Sequence, residues 1–223
     1  MQLQFVKNNI GSLSEKQILD IGCATGELAF NLAKEGAKVT GIDLNEDLLK
    51  QAINTNKHSN LQFQTGNMVD LETDFQAQQF DAVLCFGNTL VHLPTVELIQ
   101  QMIKGVKSVL KPGGLFLMQI LNYDYILKKQ LSELPLIETE NIRFIRNYKF
   151  NVNSPILHFQ TNLHIKKDKL IVSNETSLLA LQSSALTSLV KKSGFKKIEL
   201  YSNFKQSPFG GSHIPLILKA TII

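Results

Sequence analysis

The 223-residue sequence has only two cysteines, Cys23 and Cys85. Their spacing is not that of a disulfide framework, so a small stapled secreted fold is excluded and a reduced setting is the simpler expectation. No apolar run reaches the length of a membrane span, and no secretory leader is read at the start. The expected location is the cytoplasm, without a membrane partner. Internal repeats and low-complexity tracts are missing too. So are arginine-rich segments and aromatic RNA-binding signatures. The net charge of +4 comes from scattered lysines. They are densest at Lys166, Lys167 and Lys169 and at Lys191, Lys192, Lys196 and Lys197, which reads as solvated surface rather than a nucleic-acid footprint. The five histidines and two cysteines show no metal-ligand spacing, and no catalytic triad is recognisable. Neither a bound metal nor a dedicated nucleophile is expected.

What is present is a chain 43% hydrophobic and 19% charged, suited to one globular domain over 1–223. It is organised around Ile18 to Ala33. Ile18 to Ile21 is a short apolar run of buried-strand character. Gly22 and Gly26 bracket a tight turn. Leu28, Ala29, Leu32 and Ala33 then recur at helical spacing. Strand, glycine turn and helix in that order let backbone approach a ligand and aim amide N–H groups at it. The next strand, Lys38 to Ile42, ends at Asp43, beside the turn, where a carboxylate can accept both hydroxyls of a ribose. A plain βαβ unit whose glycines serve only packing is the competing reading. A dinucleotide fingerprint would need Gly-x-Gly-x-x-Gly, and Ala24 stands at its second glycine.

Further along, Glu46 to Thr55 reads as a helix capped by Asn45. Leu61 to Gln64 and Phe80 to Cys85 read as strands. The second of these leads into Phe86-Gly87-Asn88-Thr89-Leu90-Val91-His92-Leu93, placed at the carboxyl edge of a parallel sheet where ligands sit. Val96 to Leu110 is an amphipathic helix stopped by Lys111-Pro112-Gly113-Gly114. Leu115 to Leu121 is a fifth strand, followed by Asn122-Tyr123-Asp124-Tyr125. Between Glu138 and Glu175 the period changes to two, with Phe159, Thr161, Leu163 and Ile165 on one face and a turn at Lys166 to Lys169. Phe144, Arg146, Tyr148 and Phe150 share one parity. Three antiparallel strands are expected there. Arg146 is the odd residue on an aromatic face and needs a partner, either Glu138 or Glu140 or an anionic group on a substrate. Ser184 to Lys192 reads as a helix, with strands at Phe195 to Tyr201 and Ile214 to Ile222.

The run Asp20-x-Gly22-x-x-x-Gly26 followed by Asp43, together with Leu-Lys-Pro-Gly-Gly-Leu-Phe, resembles the class I S-adenosylmethionine-dependent methyltransferases. The segments Gly87 to Leu93 and Asn122 to Tyr125 are similar to those of the glycine N-methyltransferase branch. The resemblance implies an α/β, Rossmann-like, seven-stranded and mostly parallel sheet with helices on both faces. A small antiparallel insert should follow strand five. The divisions implied are a cofactor-binding core over 17–121, an inserted lobe over 122–176 covering the substrate side, and a C-terminal completion of the sheet over 177–223. Its seventh strand should lie antiparallel between the fifth and sixth. S-adenosyl-L-methionine is the implied cofactor and S-adenosyl-L-homocysteine the product. The cofactor contacts carried over are Asp20, Gly22, Cys23, Ala24, Gly26, Asp43, Leu44, Asn67, Met68, Phe86 and His92. Asn67 stands where the family usually has an Asp that bonds the adenine amino group, and its amide oxygen can still accept that bond.

Asn88 is the expected catalytic residue and, with Asn122, Tyr123, Tyr125 and Arg146, the expected substrate contact. In the branch an arginine before Asn-Tyr-Asp-Tyr pairs with the substrate carboxylate. Here Leu121 stands there, and an apolar side chain cannot replace a bidentate guanidinium. The expected activity is methyl transfer by in-line displacement to a small molecule other than glycine, at an amine nitrogen, by a monomer or homodimer. A nicotinamide-dependent oxidoreductase, a non-catalytic nucleoside-binding module and methylation of a macromolecule remain as alternatives.

Overall fold

A computed structural model describes residues 1–77, 79–151 and 154–222. Strands β1 (Gln17–Ile21), β2 (Lys38–Asp43), β3 (Leu61–Thr65), β4 (Phe80–Cys85) and β5 (Leu110–Leu121) alternate with helices. The helices are α1 (Gln2–Ile10), α2 (Glu27–Lys34), α3 (Glu46–Thr55), α4 (Leu71–Asp74) and α5 (Val96–Val109). Then come α6 (Tyr123–Lys129), a four-stranded lobe of β6 (Ile137–Glu138), β7 (Ile142–Phe150), β8 (Ile156–Ile165) and β9 (Leu170–Leu179), and finally α7 (Ser183–Lys192), β10 (Lys196–Tyr201) and β11 (Pro215–Thr221).

The main sheet runs β10-β11-β5-β4-β1-β2-β3. Its five central and edge strands on the β3 side are parallel, while β11 lies antiparallel between β5 and β10. A seven-stranded, mostly parallel sheet with its last strand antiparallel between the fifth and sixth is what the resemblance implied. The middle of the sheet, 18–21, 82–85 and 115–118, is largely apolar because both faces of the sheet are covered. Ile18, Ala82, Leu84 and Leu117 pack beneath α1 and α2 on one face. Leu19, Val83, Phe116 and Met118 pack beneath α5 and α7 on the other. The Asn45 cap follows the sequence, its side chain accepting N–H bonds from Asp47 and Leu48, and at the start of α5 the Thr95 side chain accepts one from Leu98.

The lobe differs from its sequence reading in two respects. It has four strands rather than three, because the dipeptide β6 pairs with β7 at Ile137↔Phe144 and Glu138↔Arg143. Two residues carry no readable period. The return strand also continues past Val172 to Leu179, three residues beyond the expected boundary at 176. The inner end of one lobe face, with Tyr148, Leu157 and Leu178, joins the core that contains Tyr123 and Ile126. At the outer end Leu170, Ile171 and Val172 are exposed. Helices α4 and α6 were not read from the sequence. Both are short, and α6 is nucleated by a single cap, the Asn122 side chain accepting the Tyr125 N–H at 3.2 Å. Among the described residues no helix is long and apolar enough to cross a membrane. Cys23 and Cys85 are both free and buried. Burial drives both thiol pKa values up, that of Cys85 to about 12.

Candidate functional site

The carboxyl ends of β1, β2, β3 and β4 meet around a cleft of about 510 Å³. Its floor is the glycine turn. Gly22 and Gly26 hold φ values of 69° and 76°, which a side chain would strain. Space forbids one as well: a Cβ on Gly22 would meet Thr89 Cγ2 at 2.5 Å, and one on Gly26 would meet Phe63 Cζ at 2.3 Å. The turn is therefore locked by its neighbours, and its amides are committed inward. Gly22 and Cys23 N–H both donate to Ile42 O, at 2.8 and 3.0 Å, and Gly26 N–H donates to Cys23 O at 2.9 Å. Ala24 N–H donates to Asp43 Oδ2 at 2.9 Å. The expectation that these amides point at a ligand is corrected. Those of Gly22, Cys23 and Ala24 are spent on β2, which fixes the carboxyl edge of β1 to that of β2, and that of Gly26 closes the turn on itself.

Asp43 is thereby both wall and clasp. Its second oxygen accepts the Asn45 N–H at 2.9 Å, which positions the start of α3. Both oxygens keep lone pairs free for hydroxyl donors from the cleft. Of the expected cofactor residues, Gly22, Ala24, Asp43, Leu44, Met68, Phe86 and His92 line this cleft. Asp20, Cys23, Gly26 and Asn67 are not among the lining residues. Asp20 lies behind the turn, 4% exposed. Its pKa is raised to about 7, first by burial and then by the Asp43 carboxylate. Cys23 tucks its sulfur beneath the turn, against the position of Gly41. Asn67 uses its amide oxygen on the Val69 N–H at 3.3 Å, a local turn bond. His92 sits exposed at the rim, and partial desolvation holds its pKa below the usual value.

Ile21, Asn45, Leu48, Gly66, Gly87 and Thr89 also line the cleft and were not singled out in the sequence. Most of them flank a strand's carboxyl end, and that position was the available signal.

The expected substrate residues divide into three places, none of them on the cleft's lining. Asn88, at φ 69°, has its Oδ1 accepting the Leu121 N–H at 2.9 Å and its Nδ2 donating to Tyr123 Oη at 3.1 Å. It is thus fixed beside Gly87, one residue from the cleft. Burial raises the Tyr123 pKa to about 12. Asn122 is 2% exposed and spends its amide on α6 and on His213 O at 3.0 Å. It is a structural cap. Its backbone and Tyr125 border a separate hollow of about 480 Å³, with Lys128, Phe209 and the Gly210–Ser212 loop. Arg146 makes neither of the expected carboxylate pairs. Its guanidinium donates to Pro135 O at 2.6 Å and lies over the Phe144 ring at 5.6 Å. Glu138 pairs instead with Lys166, at 2.9 Å. The β6–β7 register holds Glu138 opposite Arg143, three residues along β7 from Arg146.

One carboxylate and apolar walls from Ile21, Leu48, Met68 and Phe86 suit a nucleoside, its hydroxyls on the acid and its base on the walls. A family model described as a methyltransferase domain matches residues 12–194. The chain belongs to the class I S-adenosylmethionine-dependent methyltransferases.

Glycine N-methyltransferase of Rattus norvegicus is 35% identical to this chain over 123 residues, covering 50% of the chain and 42% of the rat protein. A ubiquinone biosynthesis O-methyltransferase of Coxiella burnetii is 35% identical over 127 residues, covering 56% of the chain and 51% of that protein. The methyltransferase thus matches about half the length of these relatives. A solved S-adenosylmethionine-dependent methyltransferase from Clostridium acetobutylicum superposes with a TM-score of 0.84 over 99% of this chain and 90% of that one, at 16% identity. That likeness is one of fold. Among the described residues no cluster of side chains is able to hold a metal ion.

Proposed function

We propose that the chain transfers a methyl group from S-adenosylmethionine to a small molecule at a neutral amine nitrogen. The observation that carries this reading is Asn88. It is the polar side chain held by two hydrogen bonds at the end of β4, beside the cleft wall formed by Phe86 and Gly87. The cofactor supplies an electrophilic methyl group on a sulfonium. The chain's own work is to bind, align and exclude water. Asp43 accepts the ribose hydroxyls. Phe86, backed edge-on by Phe5 and Phe204 at 6.3 and 5.4 Å, keeps that wall dry. Asn88 offers its amide to orient the acceptor.

Nitrogen is favoured over a hydroxyl by what the site can do with a proton. An alcohol oxygen needs a base in the transition state, whereas a neutral amine brings its own lone pair. Tyr123, with its pKa raised to about 12, stays protonated near neutrality. Asn88 has no basic function. Among the described residues His92 is the only imidazole on the lining of the cleft, and it is exposed. The alanine at position 24, where a dinucleotide fingerprint needs glycine, argues against the nicotinamide alternative.

Isothermal titration of the purified protein with S-adenosylmethionine, S-adenosylhomocysteine and NADH tests the reading. Binding of the two sulfur nucleosides without NADH is expected. A screen of small amines and phenols for S-adenosylhomocysteine release follows, with turnover expected on amines. NADH binding alone, or turnover confined to phenols, overturns the respective half.

A further inference from the structure

Among the described residues the two sheets have four edges, and three of them are guarded against pairing with another chain. At one side of the main sheet β3 is only five residues long. At the other, β10 carries Lys196 and Lys197, and its pairing with β11 shifts register between Lys196 and Glu199. In the lobe β6 has two residues. Short length, lysines and bulges keep an open edge from templating a further strand. The fourth edge, β9, has none of these. It runs ten residues as Leu-Ile-Val-Ser-Asn-Glu-Thr-Ser-Leu-Leu, without lysine or proline, and pairs with β8 in one unbroken register.

Apolar surface gathers at the outer end of the same strand. Cross-strand pairs set Ile137 beside Phe144, Phe144 beside Leu163 and Leu163 beside Val172, one apolar row across all four strands. Ile142, Ile165 and Leu170 form the next row. Nine large apolar side chains are exposed among the described residues, and five of them, Leu136, Ile137, Leu170, Ile171 and Val172, lie at this end of the lobe. Leu44 belongs to the cleft, and Met1, Ile53 and Val96 stand apart. A bare apolar patch of this kind marks an interaction site. Among the described residues the apolar surface that matches it is its own.

We infer that β9 pairs antiparallel with β9 of a second copy of this chain about a two-fold axis, joining the two lobes into one eight-stranded sheet. An isologous contact needs a self-complementary strand, and β9 is one. With Val172 opposite Val172, Ile171 faces Ser173, Leu170 faces Asn174 and Lys169 faces Glu175, each pair occurring twice. The apolar row then continues through both copies. Lys169 is exposed and makes no ion pair among the described residues. Glu175 accepts from Gln160 and lies 3.3 Å from His158, and its carboxylate has room for a further donor. An axis one residue along, at Ser173, would set Ile171 against Glu175. The inference is independent of the acceptor's identity.

Sedimentation of the full chain at about 1–100 µM tests it, a range suited to a contact one strand wide. A dimer whose share grows with concentration is expected. Val172→Lys puts two cations at the axis and should leave a monomer with a wild-type circular dichroism spectrum. Charge exchange reads the register. Lys169→Glu and Glu175→Lys should each weaken the dimer about tenfold, because two pairs per dimer become repulsive. The double variant should recover the wild-type affinity. Two lobes packed face to face would respond to Val172→Lys without that recovery. A monomer at all concentrations, a dimer indifferent to Val172→Lys, or charge variants that do not rescue each other overturns the β9 pairing.

Discussion

Replacing Asp43 by alanine removes three things at once, and their sizes differ. The carboxylate clasps the glycine turn through Ala24 N–H and the start of α3 through Asn45 N–H, each at 2.9 Å. Both bonds lie near solvent, so water takes over part of each. The stability lost is about 1–2 kcal/mol, the low end for bonds to a charged group. The third loss is the pair of ribose hydroxyl bonds. At about 1.5 kcal/mol each, these give about 3 kcal/mol, or roughly a hundredfold weaker binding of S-adenosylhomocysteine. Asp43→Asn separates the effects. Its single amide oxygen can still hold one of the two clasped amides, so stability should fall by less than in Asp43→Ala. It lacks the charge and one acceptor, so affinity should still fall about tenfold. Calorimetry for affinity and urea midpoints for stability, run on the same preparations, give both numbers. Wild-type affinity in Asp43→Ala would refute the ribose role. Affinity that tracked stability alone across the two variants would show that Asp43 acts only through the turn.

Other consequences follow from the same geometry. Asp20 has a folded pKa near 7 against 3.8 unfolded, so the folded state binds its proton more tightly. The associated stability is full below about pH 4 and is lost as pH rises through 7. Urea midpoints of Asp20→Asn should therefore gain on the wild type across that window and level off above it; parallel curves would remove the premise. Gly26→Ala forces a Cβ into the Phe63 ring at a positive φ, and should cost about 1–3 kcal/mol in a thermal or urea melt. An unchanged midpoint would mean that the ring gives way freely. Tyr123→Phe takes away the acceptor of the Asn88 amide N–H. It should lower turnover on any amine found in the screen while leaving S-adenosylhomocysteine affinity intact. A matching loss of affinity would move Tyr123 to the cofactor side.

Much of this was written locally in the chain. The apolar runs of β1 and β4 and the helix cap at Asn45 are short-range signals, and each sits where it was read, whereas Lys111 to Gly114 ends α5 but belongs to β5, which starts at Leu110 rather than at Leu115. The placement of Asp43 beside the glycine turn also follows from strand order alone. What failed had no local signature. The two-residue β6 and four-residue α4 are shorter than any period. The glycine-turn amides face inward because Ile42 O, on the neighbouring strand, takes two of them. Arg146 misses its expected carboxylates because the β6–β7 register gives Glu138 to Lys166 and leaves the guanidinium to a carbonyl.

The sequence by itself determined the apolar strands and the carboxylate at the end of β2, because periodicity and strand ends are properties of consecutive residues, while the arrangement of the sheet was implied by the resemblance its motifs carry. Only the tertiary structure decided which polar atoms are satisfied. A hydrogen bond between Asn88 and Tyr123 joins residues 35 apart, and Tyr148 reaches them from a different sheet. Whether a donor is spent or free depends on partners that distant segments bring, and that is where the cleft edge and the lobe acquire their chemistry.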